Sequence, residues 1–207
     1  MTDLGQILEY KIVAILRGCN PESIPGIVGA LYDGGIRMVE ITLNSPGAIA
    51  AIEQVSALFG DRVLVGAGTV LSPEEAKTAV DAGARFILSP SLDIDIIRET
   101  RNLGAISIPG AFTATEILTA YRNGAHIVKV FPASVGASYF RDLRGPLPHI
   151  PLMPTGGVNL DNIRDFQKAG AVAYGIGSAL VPSSQKAYPE LLKLLTARAM
   201  AFVGAIQ

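Results

Sequence analysis

The stretch GDRVLVGAGTVLSPEEAKTAVDAG, residues 60–83, decides how this chain folds. It opens on a glycine, enters the apolar run 63–65, passes through Gly66-Ala67-Gly68-Thr69, restarts at Ser72-Pro73-Glu74-Glu75 and closes on Gly83. The apolar run has the length and β-branched content of a buried strand, and a capping serine ahead of an amphipathic stretch starts a helix. A glycine at the end suits the left-handed residue that terminates many helices.

The unit repeats along the chain. Glycines at 35, 60, 83, 104, 124, 145 and 170 lie 20 to 25 residues apart, and each precedes an apolar run: 38–43, 63–65, 85–88, 105–108, 127–131, 150–153 and 172–176. An eighth run, 12–16, comes before the first glycine. Thr113-Ala114-Thr115-Glu116 and Asn159-Leu160-Asp161-Asn162 carry the same capping signal as Ser72. Eight short apolar strands separated by helices imply parallel pairing, because such strands must be covered on both faces. An open doubly wound sheet and a closed barrel both satisfy this. The count of eight favours a compact (β/α)8 barrel of the TIM type with short loops, a single domain over 1–207, with 185–202 as the last helix.

Composition narrows the partners. The 207 residues are 49% hydrophobic and 17% charged, enough for one large core. With 17 Lys and Arg against 18 Asp and Glu and no block of one sign, the chain lacks the footprint of a nucleic-acid or anionic-membrane binder. Its apolar runs are far shorter than the ~20 residues that span a bilayer, and Met1-Thr2-Asp3-Leu4-Gly5 does not open a signal peptide. The expected location is the cytoplasm. Cys19 is the only cysteine, so neither an internal disulfide nor a multi-cysteine zinc site is expected.

Barrels build function at the C-terminal ends of their strands. Lys129, in the run 126–132, alternates onto the same face as Ile127 and Phe131, whereas lysines 11, 77, 168, 186 and 193 fall at strand starts or on helical stretches. A lysine in an apolar lumen loses part of its ordinary pKa of about 10.4, and the free amine then attacks a carbonyl to form a Schiff base without a metal or cofactor. Snorkelling or ion pairing is the plainer reading. Glu40, in Met38-Val-Glu-Ile-Thr-Leu-Asn44, is the matching proton carrier, with an ion pair to Arg17 or Lys129 as its plainer reading.

The loops after the seventh and eighth strands are the usual phosphate site of a barrel. Gly156, Gly157, Gly177 and Ser178 occupy them. Thr69 offers a hydroxyl to a carboxylate or caps a helix, and Arg17 offers a charged fork to a carboxylate or phosphate. His126, His149 and Cys19 read as surface, loop and filler residues.

These motifs together resemble the class I 2-keto-3-deoxy-6-phosphogluconate (KDPG) and 4-hydroxy-2-oxoglutarate (KHG) aldolase family, which includes 2-dehydro-3-deoxy-6-phosphogalactonate aldolases. The resemblance runs nearly end to end through VEITL at 39–43, VGAGTV at 65–70, ILSP at 87–90, IPG at 108–110, VKVFP at 128–132, PTGGV at 154–158 and GIGS at 175–178. It implies Lys129 as the Schiff-base lysine, Glu40 as acid/base, Thr69 on the pyruvate carboxylate, and Phe131 and Pro90 shaping the pocket. It also implies phosphate contacts from Gly156, Gly157 and Ser178, and a homotrimer. The implied reaction is reversible cleavage of 2-dehydro-3-deoxy-6-phosphogluconate to pyruvate and glyceraldehyde 3-phosphate, with the galactonate epimer and 4-hydroxy-2-oxoglutarate as alternatives. Asn44, where many gluconate-type members carry arginine, and Ile15-Leu-Arg-Gly18 resemble the galactonate type, whereas Thr42 resembles the gluconate type. Arg17 would supply the charge that Asn44 lacks. A phosphate-binding barrel isomerase or synthase using Glu40 alone, and a catalytically silent binding barrel, are the more remote readings.

Overall fold

The computed structural model describes residues 2–183 and 186–207. Its strands are β1 (Ile12–Leu16), β2 (Met38–Thr42), β3 (Leu64–Gly68), β4 (Phe86–Leu88), β5 (Ile106–Ile108), β6 (Gly110–Ala111), β7 (Val128–Val130), β8 (Leu152–Pro154) and β9 (Tyr174–Ile176). Among the described residues the helices are α1 (Asp3–Tyr10), α2 (Ile24–Asp33), α3 (Ala48–Phe59), α4 (Pro73–Asp81), α5 (Ile94–Asn102), α6 (Ala114–Arg122), α7 (Ala137–Arg144), α8 (Ile163–Lys168) and α9 (Pro189–Ala205). Of the expected last helix, Gln185 lies outside the described residues. No helix among them is long and apolar enough to cross a membrane.

Every strand pair is parallel, as the apolar runs require, but the ladder is not one closed ring of eight. Six strands form a sheet in the order β5-β4-β3-β2-β1-β9 and three form a second, β6-β7-β8. The run at 105–108 forms β5 and stops at Pro109, which has no N–H for a neighbouring strand, and the chain resumes pairing beyond it as β6, which no expected run covered. On the other side β8 and β9 meet through a single bridge between Thr155 and Gly175. The fold is therefore an α/β arrangement of two curled parallel sheets.

Alternation along the strands sorts their side chains into two clusters. Val13, Met38, Leu64, Phe86, Ile127 and Met153 meet in an inner cluster that Ile7 of α1 joins. Ile12, Val39, Ile41, Val65, Val128 and Val130 point the other way and pack under the helices. Each large apolar side chain so buried contributes roughly 1.5–3 kcal/mol. The inner face therefore also carries Arg17 beyond β1, Glu40 and Thr42 on β2, Lys129 on β7 with Phe131 beyond it, and Thr155 beyond β8.

Local chemistry sets most helix ends as the sequence indicates. Ser72 accepts from the Glu75 N–H ahead of α4, and Thr113 and Glu116 form a complete capping box on α6. Gly83, Gly104, Gly124 and Gly170 all have φ between +76° and +104°, and the residue after each returns its N–H to the helix. Two expectations fail. Gly145 has φ of −52° and ends α7 without the left-handed turn. Asn159 does not cap α8, because its side chain accepts from the N–H groups of Asp161 and Asn162 and makes a turn, so the helix starts at Ile163. Helix α1, which the sequence reading left without an element, is capped by Thr2 and tied to the sheet through Asp3 and Arg85.

Candidate active site

Lys129 sits at the centre of β7 between Val128 and Val130, which face the helices, so its own side chain faces inward. It is 3% exposed, and Nζ stands 5.1 Å from the centre of the Phe131 ring. Burial pushes its amine below the usual lysine range; Glu40 opposes that shift and Arg17 adds to it. Among the described residues Lys129 forms no ion pair. The snorkelling reading fails on burial and the ion-pair reading on geometry.

Glu40 lies on β2 in register with Ile15 of β1 and Gly66 of β3. It is fully buried, and neither carboxylate oxygen has a hydrogen-bond partner among the described residues. Its carboxyl occupies space that Gly68 leaves free: a Cβ at that glycine would fall 1.7 Å from Oε1. Burial raises the Glu40 pKa against the opposing charges of Lys129 and Arg17. Both shifts act in the direction of the uncharged forms, and an uncharged amine with a carboxylic acid nearby is what imine formation needs.

Beside this pair opens a cavity of about 510 Å³. Arg17, Phe131, Gly156, Gly157, Gly177 and Ser178 line it, so six of the expected site residues come together there. Lys129 and Glu40 are not part of its lining; they adjoin it through Phe131 and Ile15, both of which line it. Gly156 and Gly157 have φ of +82° and +86°, which a side chain rarely tolerates. Their turn leaves the N–H groups of Gly157 and Val158 without a protein acceptor among the described residues, while that of Gly156 faces Gly175 in the bridge between β8 and β9. A row of free N–H groups is an anion cradle. Gly177 also begins a turn, its carbonyl accepting from the Leu180 and Val181 N–H groups.

The other expected residues stand on the same rim but outside the cavity lining. Thr69, just past β3, is half-buried with φ of +56°, a strained conformation for a β-branched residue and the sort that clusters at functional sites. Pro90 is half-buried after β4, and its carbonyl lies where a Cβ on Gly110 would go. Asn44 is exposed in the turn after β2.

Two features were given no role from sequence, although Thr155 and Thr42 stand among the polar residues at strand ends. Thr155 is 3% exposed and lines the cavity with an unpartnered hydroxyl, for which Gly175 makes room. Ser45 accepts from the Gly18 N–H at 2.8 Å and lies 2.8 Å from the Thr42 hydroxyl, which reaches the Leu16 carbonyl. That chain of bonds fixes the backbone on both sides of Arg17. A polar residue one position past β8 and another three past β2 were the only signals for them. His126 accepts from the Ser107 N–H at the opposite end of β7, and Cys19 is buried with its thiol pKa raised by burial, both as expected of residues without a chemical role.

Comparison with known proteins gives a consistent result. The family model for KDPG and KHG aldolase matches residues 5–194. A probable 2-dehydro-3-deoxy-6-phosphogalactonate aldolase of Rhizobium meliloti is 39% identical over 175 residues, 84% of this chain and 82% of the relative. A solved structure described as native KDPGal shares 36% identity with a TM-score of 0.88, covering 94% of this chain and 93% of the other. The KDPG aldolase of Legionella pneumophila, solved with pyruvate captured as a covalent carbinolamine, shares 28% identity with a TM-score of 0.83 over 97% of this chain and 98% of that one.

Proposed function

Because the chain belongs to the KDPG and KHG aldolase family, and is an aldolase and so a carbon–carbon lyase, we propose that it is a class I enzyme cleaving 2-dehydro-3-deoxy-6-phosphogalactonate to pyruvate and glyceraldehyde 3-phosphate. The observation that carries the covalent mechanism is the buried pair of Lys129 and Glu40, both pushed toward their neutral forms beside a cavity with free N–H groups. The expectation from sequence put the gluconate epimer first. Asn44 and Ile15-Leu-Arg-Gly18 favour the galactonate epimer, as do the 2-dehydro-3-deoxy-6-phosphogalactonate aldolases at 39% and 37% identity against 35% for the 2-dehydro-3-deoxy-phosphogluconate aldolase of Treponema pallidum. Thr42 favours the gluconate epimer as the second reading.

In this mechanism the Lys129 amine adds to the C2 ketone and gives a carbinolamine. Glu40 donates a proton to the departing oxygen, water leaves, and a protonated imine remains. The Glu40 carboxylate then takes the proton of the C4 hydroxyl while the C3–C4 bond breaks and its electron pair moves into the imine as an enamine. Glyceraldehyde 3-phosphate leaves, C3 is protonated, and water hydrolyses the imine to pyruvate and the free lysine. Thr69 holds the pyruvate carboxylate, Phe131 and Pro90 wall the pocket, and Gly156, Gly157, Gly177 and Ser178 bind the phosphate. Arg17 and Asn44 contact the substrate from the β1 and β2 ends. The supporting frame is a (β/α)8 barrel: β5 continues into β6 through Pro109, the Thr155–Gly175 bridge joins the other edges, and residues from both sheets share the inner cluster.

Comparing kcat/KM for the two phosphorylated epimers and for 4-hydroxy-2-oxoglutarate tests the substrate assignment. The galactonate epimer is expected to lead by at least about tenfold, a discrimination of about 1.4 kcal/mol. A lead for either competitor would reject it. Arg17→Ala is expected to raise KM about tenfold, since it removes a charge-assisted fork from the cavity wall. Unchanged KM would remove Arg17 from the site.

A further inference from the structure

We infer that Asn162, which does not line the cavity, is a positioning residue that aims the anion loop at 156–158. The inference rests on the phosphate reading of that loop. Asn162 stands at the residue before α8, where an asparagine side chain ordinarily accepts from the first turn of the helix, yet it makes no such bond. It commits both ends of its amide to the loop instead. Nδ2 donates to the Gly157 carbonyl at 2.8 Å, and Oδ1 accepts from the Asn159 N–H at 2.9 Å. Asn159 returns the contact, its Oδ1 accepting from the Asn162 N–H at 3.2 Å.

Peptide planarity turns this into a directional effect. In a trans peptide the carbonyl and the following N–H point opposite ways. A Gly157 carbonyl drawn toward Asn162 therefore turns the Val158 N–H away from Asn162, and that N–H has no protein acceptor while Val158 lines the cavity. The opposite side of the turn is fixed by packing: a Cβ on Gly156 would lie 3.1 Å from the Phe131 ring, and one on Gly157 3.0 Å from the Ser134 backbone. The loop is thus held by close packing on one side and on the other by Asn162, whose Nδ2 makes the short bond to the Gly157 carbonyl while Asn159 Nδ2 stands 3.5 Å from the same oxygen. Two glycines with positive φ and no side chains would sample many other peptide orientations without that second anchor.

The test uses Asn162→Leu, which removes both bonds, and Asn162→Asp, which keeps the acceptor for Asn159 but cannot donate to Gly157. Condensation of pyruvate is measured with glyceraldehyde 3-phosphate and with unphosphorylated glyceraldehyde. Both variants are expected to raise KM for the phosphorylated aldehyde about tenfold, with kcat and the rate on glyceraldehyde changed less than about twofold. Equal losses on both aldehydes would reduce Asn162 to a structural residue, and no loss on either would also overturn the inference. A wild-type enzyme indifferent to the phosphate would instead overturn the phosphate reading itself, and this inference with it. If the leucine variant does not fold, Asn162→Ser decides the outcome, because serine is too short to reach Gly157, suits a helix start and adds no charge that could itself repel the phosphate.

Discussion

Replacing Lys129 with methionine is expected to lower turnover by at least about 10⁴-fold, because an enzyme that works through a covalent intermediate keeps only residual binding effects without its nucleophile. Methionine matches the lysine stem and leaves β7 undisturbed. Lys129 is the buried lysine of this chain; the others are exposed or half-buried. Borohydride reduction in the presence of pyruvate should therefore leave one adduct on the Lys129 peptide of the wild type and none on the variant. An adduct scattered over other lysines, or a methionine variant that still turns over, would end the covalent mechanism and return the non-covalent barrel isomerase as the better reading.

The same variant should be no less stable than the wild type at neutral pH. With its pKa lowered on folding, the lysine costs stability at every pH below the folded value, and that cost fades as pH rises toward the unfolded value near 10.4. The methionine variant is expected to show a higher Tm at pH 7, with the difference closing above about pH 10. A thermal melt series across that range measures it.

Glu40→Gln is expected to cost about 10²–10⁴ in kcat, the span general acid–base catalysis commonly supplies. The adduct should still form on Lys129, but more slowly, because glutamine neither donates the proton that expels water nor accepts one from C4. Unchanged kcat would exclude Glu40 as the proton carrier. Stability again separates site from scaffold. A carboxylate whose pKa is raised on folding stabilises the fold fully below its unfolded value near 4.3 and progressively less as pH rises to the folded value. The glutamine variant should lack that decline. For the wild type, activity should rise as Lys129 loses its proton and fall as Glu40 loses its own, with the apparent limits belonging to the coupled pair.

That Lys129 shares a face with Ile127 and Phe131 was legible from alternation alone, because a strand places every second side chain on one face whatever its neighbours are; that this face is the inner one was decided by packing. The caps at Ser72 and Thr113 were legible for the same local reason: a hydroxyl meets an N–H three residues away. Asn159 misled because the same side chain can close a turn or cap a helix, and the choice fell to Asn162, whose amide reaches back to Gly157. Thr155 and Ser45 were illegible as site residues, since their significance lies in partners on other strands or in having none.

By itself the sequence determined the parallel α/β class and the glycine-ended units, and it marked Lys129, Glu40 and the glycine loops as candidates, all from periodicity and residue chemistry within a few positions. Only the tertiary structure decided that the strands pair as two sheets interrupted at Pro109, that Glu40 has no ion partner among the described residues, that Gly68 makes way for its carboxyl, and that Asn162 donates to the Gly157 carbonyl. Those facts depend on which backbone passes within a few ångströms of another across tens of residues. Burial, which gives Lys129 and Glu40 their shifted proton affinities, is likewise a property of the surrounding packing.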